Sequence, residues 1–299
     1  MRANMKTFGS VLVLACATGF AQDVAIRGPV SGMVYDQATH SLRTVMGVPG
    51  AAYLGRASAE AEAGSVSPDG ARALLLRAGQ LVLIDAAAGE RSLGTWSGTL
   101  DKVAWGAGSV AVASGARVQS FRLSPDGVQS DIFQADGTVE ALAIGDDVVV
   151  VGTATGVYAM KAGDSKLLAA IEASDLEIAG SSLFVADKQR GEIDRIANYA
   201  SAPELSRLAG ELAGLVGIAL SADGNVLLAA AGTKLTSYDA ASGALLAQLD
   251  LEFSPPGVEA MGKGLFRLDG RAQATDPVQV ASLADGLKVF FVPAGNAEE

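Results

Sequence analysis

Short runs of small and aliphatic residues recur along this chain, and Gly, Asp, Ser or Pro closes each of them. Residues 64–96 read GSVSPDGARALLLRAGQLVLIDAAAGERSLGTW, and residues 215–250 read LVGIALSADGNVLLAAAGTKLTSYDAASGALLAQLD. Both segments place S-x-D-G before a strongly apolar run and D-A-A-x-G after the next one. Asp69-Gly70 and Asp223-Gly224 fit hairpin turns, because Asp and Gly tolerate the positive φ such turns demand. Ala73–Leu76 and Val226–Ala230 have the composition of strands buried on both faces. The predicted elements are therefore strands throughout.

Weaker copies of the unit fill the intervals at 98–132, 137–171 and 174–208, and a last copy spans 256–293. Leu83-Ile84-Asp85, Ser237-Tyr238-Asp239, Ser120-Phe121, Ala159-Met160 and Val34-Tyr35-Asp36 align as third strands. Their spacing, roughly 35 to 50 residues, is that of a four-stranded propeller blade. A lone unit could not bury both of its faces, whereas a ring of blades does. The segment 203–213, PELSRLAGELA, suits a short helix by composition, but the unit needs its fourth strand there. An N-terminal hairpin, Gly32–Tyr35 and Ser41–Met46, matches only third and fourth strands and is expected beside the last blade. The expectation is an all-β protein: a single β-propeller of seven four-stranded blades, or six with a covering hairpin, over residues 22–299.

The S-P-D-G turn at 67–70, the S-A-D-G turn at 221–224 and the Y-D-A-A-S-G segment at 238–243 resemble repeats of bacterial YVTN-type and WD-like β-propellers. The resemblance covers residues 28–295, without a Trp-Asp dipeptide, a Gly-His or a literal Tyr-Val-Thr-Asn. It implies a rigid ring whose loops and channel bind proteins or small ligands, with only some members enzymes. Quinone-dependent propellers are rich in Trp, and this chain has only Trp96 and Trp105, both of which fit strands and are expected to serve in packing. Calcium-dependent lactonase-like propellers use Asn with acids around the axis, and past residue 22 only Asn198, Asn225 and Asn296 are present.

Residues 1–21, MRANMKTFGSVLVLACATGFA, have a basic start (Arg2, Lys6), an apolar middle and small residues before Gln22. That is a signal-peptide pattern, and its apolar stretch is too short to span a bilayer. The expectation is a secreted or periplasmic protein with no transmembrane segment. The alternative is an envelope lipoprotein, because Val13-Leu14-Ala15-Cys16 resembles a lipobox that would place a lipid on Cys16.

The net charge is −11, and −13 without residues 1–21. Such a surface argues against nucleic acid as a partner. Cys16 is the only cysteine and His40 the only histidine, so disulfides, thiolate zinc sites and histidine-rich metal sites are ruled out. A catalytic triad would have to recruit His40 from a turn.

One constellation carries chemistry. The innermost strands begin with Asp101, Glu140, Glu177 and Glu259, each an odd number of residues before the Gly that ends its strand. Strand alternation would aim all four to one side of their blades. Such a rim could hold a hard cation such as calcium or a basic ligand, or keep one acid protonated for proton transfer. The function expected from sequence is a monomeric interaction scaffold that uses no cofactor and binds a protein or a small extracellular ligand. The alternative is a carboxylate- or metal-dependent lyase or hydrolase at the channel mouth.

Overall fold

The computed structural model describes residues 30–124, 127–145, 147–269, 271 and 273–294. The expected signal peptide at 1–21, Cys16 and Asn296 lie outside these residues. Twenty-seven strands form seven sheets, and the described residues contain no helix. Six sheets have four strands each: blade 2 (63–95), blade 3 (102–134), blade 4 (141–169), blade 5 (175–209), blade 6 (215–250) and blade 7 (257–292). Blade 1 (30–60) has three. Inside each blade the strands pair antiparallel in chain order. The innermost ones run Val30–Asp36, Ala63–Val66, Lys102–Gly106, Ala141–Ile144, Asp175–Ala179, Leu215–Leu220 and Gly257–Gly262 around the channel. The segment 203–213 supplies the outer strand Glu204–Ala209, as the repeat requires.

No single core fills the molecule. Among the described residues there are seven apolar clusters, and each lies between two adjacent blades. Phe184 of blade 5, for example, is fully buried against Leu215, Ile218 and Leu227 of blade 6. Second strands, covered on both faces, are the most apolar: Arg72–Arg77 and Val226–Ala231 are buried along almost their whole length. This is why their sequences do not alternate. The S-x-D-G motif shapes the turn that precedes each of these two strands. The Ser67 hydroxyl donates to Asp69 Oδ1 at 2.5 Å and accepts Arg72 N–H at 2.9 Å, while Gly70 takes a φ of 70°. Ser221, Asp223, Val226 and Gly224 repeat the arrangement.

Blade 1 corrects two expectations. The hairpin 30–46 is not a third and fourth strand. It forms the first and second strands of its own three-stranded blade, so Val34-Tyr35-Asp36 is innermost and does not align with Leu83-Ile84-Asp85. Its direction is also reversed. An even number of antiparallel strands returns the chain to the face where it entered. A three-stranded blade can feed the next inner strand from the same face only if its own inner strand runs the other way. The contacts show this reversal. Val30, at the start of the inner strand of blade 1, accepts from Lys263 Nζ in the turn after the inner strand of blade 7. At the other end, the Tyr35 hydroxyl donates to Ala61 O just before the inner strand of blade 2. Asp36 meets Arg271, which lies in the connection after the second strand of blade 7.

The hairpin does lie beside the last blade, as the sequence suggested. Among the described residues no strand is exchanged across that seam. It is held by the apolar cluster of Val34, Val45 and Leu54 with Met261, Leu265, Val278, Val280 and Val292. Polar contacts add to it: Arg267 Nη1 to Tyr35 O at 2.7 Å, Leu54 N to Pro293 O at 3.1 Å, and the buried Arg271–Asp36 pair at 2.8 Å.

Candidate functional site

Inner strands of blades 2 to 7 begin on one face of the ring, here the near face, and end on the far face. The four acids of the predicted rim stand at two levels. Asp101 and Glu140 precede their strands on the near face and are exposed. Asp101 is tied down locally: it accepts the Thr99 hydroxyl at 2.6 Å and Gly115 N–H at 2.9 Å, which hold its pKa below the ordinary value. Glu177 and Glu259 are third residues of their inner strands and stand deeper in the channel. Counting back from Gly misaligned the pairs, because the turns after these strands differ in length and the strand of Glu259 carries an irregularity between Ala260 and Gly262. By ladder position, Asp175 matches Lys102 and Glu177 matches Ala104. Among the described residues no group of three or more His, Cys, Asp or Glu side chains is arranged to hold a metal ion.

The structure adds Asp175, the first residue of the inner strand that carries Glu177. Asp and Glu two residues apart on a strand share a side, so the D-L-E triplet was the available signal. Asp175 bridges blades 5 and 6: Oδ2 accepts Ile218 N–H at 2.9 Å, and Oδ1 accepts Leu176 N–H at 3.0 Å. A bulge at Val216 shapes that stretch of blade 6, and bare Gly217 beside Asp175 Oδ2 lets the carboxylate approach. Burial lifts the Asp175 pKa to about 6, against the pull of its two backbone hydrogen bonds and of Lys102 across the channel. Glu177 is pushed well above the usual carboxylate range, first by burial and then by the charges of Asp175 and Glu259. Part of its surface meets channel water, yet the ring wall surrounds it. It makes no hydrogen bond or ion pair among the described residues. Glu259, by contrast, is paired with Arg267 at 2.7 Å.

Glu177 also lines a cavity of about 400 Å³ at the far face. Trp105, Arg72 and Tyr199 form its walls, and the turns holding Asp69 and Asp223 form its rim. The Trp105 indole N–H donates to Ser65 Oγ at 3.0 Å, and Arg72 lies over the ring, 5.6 Å from its centre. Arg72 is held there by Gly106 O and, at 3.9 Å, by Asp69. Tyr199 reaches the mouth from blade 5 because Gly145 of blade 4 has no side chain; a methyl group there would collide with the Tyr199 hydroxyl. Sequence reasoning assigned Trp105 to packing, which holds fully for Trp96, 2 % exposed, and only in part for Trp105. His40 lies in the first turn of blade 1, exposed and at a φ of 48°, away from this cavity.

The cavity belongs to a ring of known design. No family pattern and no curated protein matches the chain. Solved structures do match its shape. The β-propeller domain of Cps50 (Swd1) from Myceliophteria thermophila is 15 % identical, with a TM-score of 0.54 over 82 % of this chain and 94 % of that one. The WD40 repeats of RRP9 are 11 % identical, with a TM-score of 0.55 over 77 % and 80 %. PorZ, a bacterial surface component of the type-IX secretion system of Porphyromonas gingivalis, is 15 % identical, with a TM-score of 0.62. The match covers 90 % of this chain but only 38 % of PorZ. The fold is that of a seven-bladed WD40-like propeller. At these identities the likeness is one of fold alone.

Proposed function

We propose that this propeller is an exported binding scaffold, not a catalyst, and that it captures a ligand bearing an ammonium or guanidinium group at the far-face mouth of its channel. The observation that carries this reading is the unpaired Glu177 carboxyl at the cavity, with Trp105 and Tyr199 beside it. An incoming cation replaces the proton that burial and like charges keep on Glu177, and it gains an aromatic wall of the kind that attracts cations. The acidic balance of the chain draws such a ligand in. Export rests on the Arg2–Ala21 pattern, with lipidation at Cys16 as the alternative form. Mass spectrometry of the mature protein separates the two: an unmodified start at Gln22 supports free export, and a lipid on Cys16 replaces it with an anchored scaffold.

The test is calorimetric titration of residues 22–299 with cadaverine and with the peptide Gly-Lys-Gly. Binding is expected to tighten from pH 5 to pH 8 as Glu177 loses its proton more readily. Glu177→Gln should weaken it by about tenfold, the worth of a charge-assisted hydrogen bond. Preference for the peptide over the diamine would mark a protein as the partner. Binding unchanged in Glu177→Gln, or no binding of either probe, would overturn the reading.

A further inference from the structure

A second cavity, of about 420 Å³, opens at the seam between blades 7 and 1, toward the near face. Its charge is opposite to that of the channel. Arg267, Arg271 and Asp36 line it, and Arg43 also touches Asp36, at 3.6 Å. Two guanidinium groups, Arg43 and Arg271, thus share one carboxylate, in a chain whose overall balance is −11. Burial and the nearby charge of Arg43 both act against the charge of Arg271, while Asp36 and Asp276 support it. Its Nε donates to Gln273 O, its Nη1 to Asp36 and its Nη2 to Ala274 O. A guanidinium has five N–H donors, so two remain beyond these three bonds among the described residues. Val34, Val278 and Pro256 give the remaining wall an apolar character.

We infer that this seam cavity is a ligand site for a small organic carboxylate that has an apolar body. The carboxylate adds a second negative charge where Arg271 and Arg43 share Asp36, and the apolar body lies along Val34 and Val278. A ligand seated there touches both ends of the folded chain, so its binding stabilises the closed ring by mass action. The site is independent of the channel-mouth reading, and Glu177→Gln should leave it unaltered.

The test uses N-acetyl-leucine as probe and N-acetyl-leucinamide as its neutral counterpart, with melting temperature and calorimetric titration as readouts on residues 22–299. The acid is expected to bind and to raise the melting temperature, and the amide is expected to do neither. Arg271 variants endanger the seam itself, so the charge at the cavity is varied at exposed Gln37, which lines it. Gln37→Lys should tighten binding of the acid and Gln37→Glu should weaken it, each by about fivefold at these short distances. Equal binding of acid and amide, no binding of the acid, or indifference to both Gln37 variants would each overturn the inference.

Discussion

Asp36→Ala is expected to lower the stability of the ring by about 3 kcal/mol, the low end of the cost of breaking a buried ion pair. The Asp36 side chain is 1 % exposed and that of Arg271 8 %. Asp36 also accepts the Thr39 hydroxyl at 2.6 Å and Ala38 N–H at 3.2 Å, so it orders the turn behind it as well. Removing it leaves Arg271 and Arg43 facing each other with no carboxylate between them. The low end applies because the pair borders a cavity that water can enter. For a domain of this size the loss corresponds to about 6 to 12 °C in melting temperature. Differential scanning calorimetry at pH 7 reads it directly. A shift under about 2 °C would show that the pair contributes little and that the apolar cluster alone closes the seam.

The second large effect is a pH dependence opposite to that of most acidic proteins. The folded-state pKa of Asp175, about 6, lies above its ordinary value of 3.8. The native state therefore holds this proton more tightly than the unfolded chain. Stability from that source is fully present below about pH 4 and is lost as the pH rises to about 6. The loss is roughly 3 kcal/mol once Asp175 is ionised. Glu177 adds to it with the same sign. Asp85, Asp101 and Asp223, whose pKa values hydrogen bonds hold down, act the other way, and their contribution disappears as the pH falls through their lowered values. The melting temperature is thus expected to peak near pH 4 and to fall as the pH rises through 6. Glu177→Gln should melt above the unaltered protein at pH 8 and show a flatter profile. A melting temperature that rises steadily from pH 5 to pH 8 would contradict this account of the channel.

The two predictions concern regions that the sequence exposed to different degrees. The repeat was legible because local chemistry sets it. S-x-D-G turns and doubly buried second strands leave their mark wherever they occur, and the seven-blade ring with the outer strand at 204–209 follows from them. The reversed blade was not legible. Gly32–Tyr35 reads as a strand in either direction, and only contacts with residues more than two hundred positions away decide which way it runs. The deeper acids were half legible. Glu177 and Glu259 were selected by composition. Their depth and the partnership with Asp175 depend on turn lengths and on a bulge at Val216, neither of which a count of residues reveals. Trp105 was read as packing because its role at the cavity depends on Arg72, Glu177 and Tyr199, drawn from two other blades.

The odd number of strands in blade 1 also governs how the chain is assembled. The Arg271–Asp36 hydrogen bond joins residues 235 positions apart, and the Lys263–Val30 contact spans 233. Nearly every other pairing is between neighbours in sequence. During synthesis six blades can stack in order, each on the one before, while the outward apolar side of blade 1 stays bare. That side is covered only when residues 257–292 arrive, after the other six blades have been made. Closure of so long a loop is slow relative to local pairing. The last step of folding is therefore a docking of two finished blades, and an arrested or truncated chain would present the Val34–Val45–Leu54 surface to whatever it meets first.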